Sequence, residues 1–244
     1  MKDGIKDMKL VIATPFYNMS GWSPYIKALA KSVAFLSKHT PIEVDFWSLN
    51  GDSYVERARN TIANTFMKTD NTHLLFIDSD MEWSIEGLTK LLASDVDVVG
   101  AGYPCKNMWE FYGCIIDVNE DETPKVDPET GLISAWGVPT GFMKIRRQVF
   151  EKLAEAQPDN YYMIQNQGDD APYKVYNFFG RRPPLGEDIS FCRRWAEIGG
   201  KLWVQPEIRI VHYGFKGWEG HYGDFLRACP GGSEDPARKI SVPA

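Results

Sequence analysis

The chain has 244 residues, 43% hydrophobic and 25% charged, a globular composition that excludes a disordered, collagen-like or coiled-coil protein. With 27 Lys and Arg against 33 Asp and Glu the net charge is −6, so no broad basic field exists to hold a nucleic-acid backbone. No apolar run approaches the ~18 residues of a spanning helix, and the charged start reads as the approach to a first strand rather than a leader, so a soluble cytoplasmic protein is expected.

Residues 9–13 (KLVIA) predict a buried strand stopped at Thr14-Pro15. Ser23-Pro24 opens a helix to about Lys38, with Ser23 as its N-cap and proline at the first helical position. Residues 42–49 alternate and predict a strand. Asp52 or Ser53 then caps a helix over 54–67, with Val55, Ala58, Ile62 and Phe66 on one stripe. Residues 73–77 (HLLFI) predict a fully apolar strand ending at Asp78-Ser79-Asp80, followed by a helix over 84–93 and a buried strand over 97–101. Strands alternating with helices of this length predict an α/β fold with a parallel sheet covered on both faces. Ligands of such sheets bind beyond the carboxyl ends of the strands.

The second part is less regular. Residues 110–117 and 132–136 predict a hairpin, 142–145 a strand and 148–156 a helix. Residues 159–186, rich in Asn, Gly, Tyr and Pro, read as one long loop. A helix over 187–198 and strands over 201–204 and 208–211 follow, with His212 just past the last. Residues 229–244 read as a loose tail. The cysteines, Cys105, Cys114, Cys192 and Cys229, lack CxxC or zinc spacing and read as small buried hydrophobes.

Asp78 and Asp80, one residue apart past a buried strand, project into the expected crevice. Carboxylate oxygens suit Mg²⁺ or Mn²⁺, although Asp is equally at home in a capping turn. Glu187 and Asp188 open a helix, where acids favour the dipole; the functional alternative is a carboxylate that takes a proton from an attacking hydroxyl. His212 is a candidate metal ligand or a structural histidine. Arg57 and Arg59 lie near a helix start, where the dipole disfavours cations, so at least one is expected to meet an acid or a phosphate unless both belong to a solvated face. Lys106 lies beyond another strand end, within reach of a phosphate. Trp109, Tyr112, Trp136 and Trp218 are candidates for stacking on a sugar or base, with core packing the alternative.

Taken in order, TPFYN (14–18), ERARNTIANTF (56–66), LLFIDSDM (74–81), VVGAGYPCK (98–106), GVPTGFMKIRRQVFEKL (137–153), GEDISFCRRWAEIGGKLWVQPEI (186–208) and VHYG (211–214) resemble the GT-A-fold nucleotide-sugar glycosyltransferases of the family 2 type met in phage, viral and bacterial genomes. The resemblance implies a Rossmann-like, mostly parallel central sheet flanked by helices, with a smaller antiparallel region on the acceptor side. It implies one domain over 1–228, its nucleotide-binding half about 8–105 and its acceptor and catalytic half about 106–228. Thr14, Pro15 and Tyr17 would then line the base and ribose. Arg57, Asn60, Ser79 and Lys106 would approach the nucleotide or its diphosphate, and Gly141 would shape the sugar pocket. Asp78 would face the ribose and metal, Asp80 and His212 would ligate Mn²⁺ or Mg²⁺, and Asp188, with Glu187 beside it, would be the base. The implied reaction moves a sugar from a nucleoside diphosphate, UDP first, to a hydroxyl of a glycan, glycoprotein or glycolipid, with inversion. The rivals are a DxD phosphotransferase or nucleotidyltransferase, whose own signature residues are missing here, and a non-catalytic nucleotide- or carbohydrate-binding module of the same fold.

Overall fold

The computed structural model describes residues 7–107, 111–165 and 170–228. Trp109, the start of the expected hairpin at Glu110, Cys229 and the expected tail lie outside the described residues.

Eight strands build the central sheet: β1 (Lys9–Phe16), β2 (Glu43–Asn50), β3 (His73–Ile77), β5 (Val98–Gly100), β6 (Ile115–Ile116), β7 (Ile133–Gly137), β8 (Phe142–Arg146) and β11 (Leu202–Val204). Their order is β2-β1-β3-β8-β5-β11-β7-β6. β1 pairs in parallel with β2 and β3, and β5 with β11, whereas β8 lies antiparallel between β3 and β5 and β7 runs against β11 and β6. Six strands therefore run one way and two the other, so the sheet is mostly parallel rather than wholly so. The two reversed strands are those on either side of residues 138–141. This segment crosses so close to β5 that a Cβ on Gly100 would meet Val138 Cγ1 at 2.4 Å.

The inner strands are apolar without alternation because both faces are covered. Leu10, Ile12, Leu75 and Ile77 pack towards α1 (Ser23–His39) and α3 (Ile85–Ala93). Val11, Ala13, Leu74 and Phe76 belong to the opposite core, with α2 (Val55–Met67), α4 (Arg147–Ala156) and α5 (Glu187–Glu197). The α1 N-cap is Trp22 rather than Ser23, and α2 is capped by Tyr54, while Asp52 accepts from the Tyr54 N–H at 2.9 Å. Ser84 caps α3 through Gly87.

Several elements depart from the sequence expectation. β1 does not stop at Thr14-Pro15 but pairs with β2 through Phe16. The presumed loop after residue 159 contains a hairpin of β9 (Tyr161–Ile164) and β10 (Tyr173–Tyr176). Asn60 and Asn64, four apart on one face of α2, hold it in place: Asn64 bonds the Tyr176 backbone on both sides, and Asn60 takes the Phe179 N–H. β4 (Met81–Trp83) starts directly after Asp80 and pairs with β12 (Arg209–Tyr213). Beyond β12, β13 (Gly217–His221) completes an antiparallel three-stranded sheet, and α6 (Tyr222–Ala228) packs Tyr222 and Leu226 into the core. Among the described residues no helix is long and apolar enough to cross a membrane.

Candidate active site

The small sheet brings the first two site residues together. In the β4–β12 register His212 lies opposite Met81, so the residue before Met81, Asp80, sits beside the histidine ring. The Tyr213 N–H donates to the Asp80 carbonyl at 2.7 Å and fixes that alignment. His212 is therefore inside β12, not past its end. Its Nδ1 donates to the Pro104 carbonyl at 2.9 Å, which leaves Nε2 with its lone pair 3.6 Å from Asp80 Oδ1. That oxygen is buried and has no hydrogen-bond partner among the described residues. The Lys106 ammonium meets Asp80 Oδ2. Burial would raise the Asp80 carboxyl, but positive charge beside it, a protonated His212 ring and the Lys106 ammonium, outweighs burial and holds it below the usual range.

Asp78 is turned elsewhere. Its N–H donates to the Gly141 carbonyl at 3.0 Å, and its Oδ1 accepts from Arg59 Nη2 at 2.9 Å. Among the described residues no group of three or more His, Cys, Asp or Glu gathers as a metal site. Of the expected metal set, Asp80 and His212 lie together, whereas Asp78 is paired with Arg59. Two protein ligands still fit Mg²⁺ or Mn²⁺, which keep waters and substrate phosphates in the remaining positions. The buried orphan oxygen, the oriented imidazole nitrogen and an ammonium already resting on the same carboxylate all mark a place for positive charge.

On the other side of Arg59 from Asp78, Gly186 is the N-cap of α5, which opens with Glu187 and Asp188. Glu187 lies 3.6 Å from Arg59 Nε, and Asp188 Oδ1 accepts from the Ile189 N–H at 2.7 Å. Burial, reinforced by the Glu187 charge, pushes the Asp188 carboxyl up to about 6. Tyr103, which the sequence reading passed over, joins the halves. Its buried hydroxyl accepts from the Gly141 N–H at 3.1 Å, and its ring edge meets His212 with centroids 5.2 Å apart. Burial, Asp78 and Asp188 raise its phenol far above the ordinary value. Gly141 is tightly enclosed: a Cβ there would lie 2.4 Å from the Tyr103 hydroxyl.

The other expected site residues divide. Thr14 is buried at the end of β1, its hydroxyl shared with Tyr25 at 2.6 Å; Pro15 is half-buried and Tyr17 exposed beside it. The Ser79 carbonyl accepts from the Trp22 N–H at 3.1 Å. Arg57, half exposed, bonds Asp52 at 2.8 Å beside a cavity of about 490 Å³ at the end of β2. Both ends of the Asn60 amide are engaged, by the Phe179 N–H and by Asn177, so it braces the hairpin segment. Tyr112 and Trp218 are buried in ring packing and Trp136 lies under Arg193, which leaves Tyr112 and Trp218 as packing residues. Cys114 and Cys192 are buried and Cys105 half-buried.

No protein-family model and no curated protein sequence matches the chain. Solved structures do. A197 from STIV is similar over 85% of this chain and 86% of its own, with a TM-score of 0.53 and 18% identity. GalNAc-T7, crystallised with UDP, GalNAc and Mn²⁺, is similar over 86% of this chain with a TM-score of 0.51 and 15% identity. The match takes in 45% of the GalNAc-T7 chain, so this chain spans less than half of that protein. These likenesses show the fold: the chain has the GT-A architecture of a mixed, mostly parallel sheet between helices with a small antiparallel sheet beside it.

Proposed function

We propose that the protein is a metal-dependent glycosyltransferase that moves a sugar from a nucleoside diphosphate, UDP first, to an acceptor hydroxyl of a glycan, glycoprotein or glycolipid, with inversion. The observation that carries this reading is that one continuous run of contacts, Tyr103 against His212 and Gly141, Gly141 to Asp78, and Arg59 between Asp78 and Glu187, joins the Asp80–His212 pair to the acidic pair Glu187 and Asp188. The carboxylates Asp78, Asp80 and Glu187 gather there with Arg59 and Lys106, and Asp188 follows Glu187.

The cation, held by Asp80 and His212, would stabilise the charge of the departing diphosphate. Thr14 and Pro15 line the base and ribose with their backbone, with Tyr17 at the rim. Asp78, through its oxygen not bonded to Arg59, takes a ribose hydroxyl, and the Ser79 backbone borders the diphosphate. Lys106 moves from Asp80 to a phosphate oxygen, and Arg57 guards the outer edge of the nucleotide. The bare Cα of Gly141 leaves room for the sugar. Asp188 accepts the acceptor hydroxyl's proton as that oxygen bonds the anomeric carbon and the bond from that carbon to the diphosphate oxygen breaks. Attack from the face opposite the leaving group inverts the centre.

The test is thermal-shift and calorimetric titration with UDP, GDP, CMP and TDP, each with and without Mn²⁺, followed by transfer assays with the matching sugar nucleotides. A ligand specific to the native state stabilises it by about 2.7 kcal/mol at a hundredfold excess over its Kd. A metal-dependent shift with one nucleotide and transfer of its sugar support the reading. Binding without transfer to any acceptor or water favours a binding module, and no binding at all overturns both.

A further inference from the structure

Arg59 is charged, buried and unused by the reaction as drawn. Its side chain is 3% exposed; Nη2 donates to Asp78 Oδ1 at 2.9 Å and Nε stands 3.6 Å from Glu187 Oε1. Cζ lies over the Phe76 ring at 5.4 Å, and among the described residues Nε and Nη1 have no hydrogen-bond partner. A guanidinium stays charged at any working pH, so its burial is tolerated only against carboxylates. Here they come from two separate elements: Asp78 follows β3, and Glu187 opens α5. Asp188, the next residue, takes the Ile189 N–H instead and has no ion pair with Arg59 within 4 Å. Resting on the glycosyl-transfer reading, we propose that Arg59 is a positioning residue: by engaging Asp78 and Glu187 together it locks the start of α5 against the donor-side turn and withholds Glu187, so that Asp188 is the carboxylate left to act as base.

The charged and titratable groups that bear on Asp188 are Glu187 on its own helix, Arg59 from α2, Asp78 past β3, Tyr103, Cys114 and Cys192. Arg59 lowers its proton affinity; Glu187 and Asp78 raise it. Losing Arg59 therefore does two things at once. It frees the start of α5 and leaves the unpaired Glu187 charge bearing on Asp188.

The experiment compares wild type, Arg59→Lys, Arg59→Met, Glu187→Gln and the Arg59→Met/Glu187→Gln double variant, with melting temperature as the fold control. One readout needs no donor: the ¹³C carboxyl titration of Asp188, assigned with Asp188→Asn. The other is the pH profile of kcat with UDP-glucose, UDP-galactose, UDP-GlcNAc and UDP-GalNAc in Mn²⁺. In Arg59→Met the Asp188 midpoint and the acid limb of kcat should rise by about one pH unit, with kcat falling about tenfold on the acid limb and about twofold at pH 7, and donor KM changing less than about threefold. Glu187→Gln should lower the midpoint, and in the Arg59→Met background should recover most of the lost kcat. Arg59→Lys, which keeps the charge but cannot reach both carboxylates, should fall between, and carries the test if Arg59→Met does not fold. A folded Arg59→Met with midpoint and limb unmoved, or with losses additive to those of Glu187→Gln, overturns the proposal and makes Arg59 a core brace. A wild type that transfers from none of the donors, in which Asp188 still responds to Arg59, overturns the glycosyl-transfer reading instead.

Discussion

The Nδ1–H of His212 donates to the carbonyl oxygen of Pro104 at 2.9 Å, and this bond sets the tautomer of the ring. With Nδ1 protonated, Nε2 is the free lone pair, and it is aimed at Asp80. A histidine oriented by a backbone carbonyl is the usual companion of a metal-ligand nitrogen. His212→Ala and Asp80→Asn are each expected to weaken UDP binding in Mn²⁺ by at least about tenfold and to leave binding without metal unchanged. Titration calorimetry reads both. Equal affinities in variant and wild type would remove the pair from the metal site.

Asp188 links activity to stability with opposite signs. Its folded value of about 6 lies above the ordinary 3.8 because burial and Glu187 disfavour the carboxylate. The base must be ionised, so transfer should fall as pH drops below about 6. A raised carboxyl means that the folded state binds more protons between the two values, so stability is lost as pH rises through that window. Asp188→Asn should therefore abolish transfer, by about 10²–10⁴-fold, while raising the melting temperature at pH 8 relative to wild type. At pH 3, where the wild-type residue is also neutral, that gain should vanish. Retained turnover would move the base to Glu187.

Tyr103 and Gly141 are a matched pair, the glycine donating its N–H to the phenol and leaving no space for a Cβ. Tyr103→Phe strands a buried N–H and should cost about 1–3 kcal/mol in urea denaturation. Gly141→Ala should cost more, because the new methyl meets the phenol oxygen at 2.4 Å and Met81 Cε at 2.8 Å. The same Ala variant should lose donor binding, since the Gly141 carbonyl also holds the Asp78 N–H. An Ala variant of wild-type stability and affinity would show that the turn yields freely.

The strand end that carries Asp78 was legible because an unbroken apolar run stops at a polar residue, and a strand buried on both faces writes itself that way. The first strand was not cut as expected at Thr14-Pro15: on the β2 side it pairs through both residues to Phe16. The contact between Asp80 and His212 was not, because it depends on the β4–β12 register, which spans about 130 residues of intervening chain. The choice between Arg57 and Arg59 was open for a simpler reason. Two residues along a helix is a rotation of about 200°, so one arginine faces Asp52 at the rim and the other is buried against Asp78. The β9–β10 hairpin was missed because its strands carry polar and tyrosine residues without clear alternation. What fixes it is Asn60 and Asn64 on a helix some hundred residues earlier. β13, with glycine at two of its five positions, gives little strand signal of its own.

Lys144 offers a stability test away from the site. It lies buried in β8 and donates to the Leu92 and Ser94 carbonyls, capping the end of α3 with an ammonium. Burial, then Arg146, lowers it from 10.5 to about 7. Between those values the unfolded chain binds more protons than the folded one, so this lysine makes stability increase with pH. Lys144→Met has no such group. The difference in unfolding free energy, wild type minus variant, should climb from pH 7 to pH 9 with a slope of at most about 1.4 kcal/mol per pH unit, and flatten below pH 6, where the lysine is charged in both states. Whatever the Met variant loses by leaving the two carbonyls without their donor is independent of pH and shifts the curve without tilting it. Parallel curves over the whole range would mean that Lys144 keeps its proton when folded, held by the carbonyls and the α3 dipole strongly enough to offset its burial.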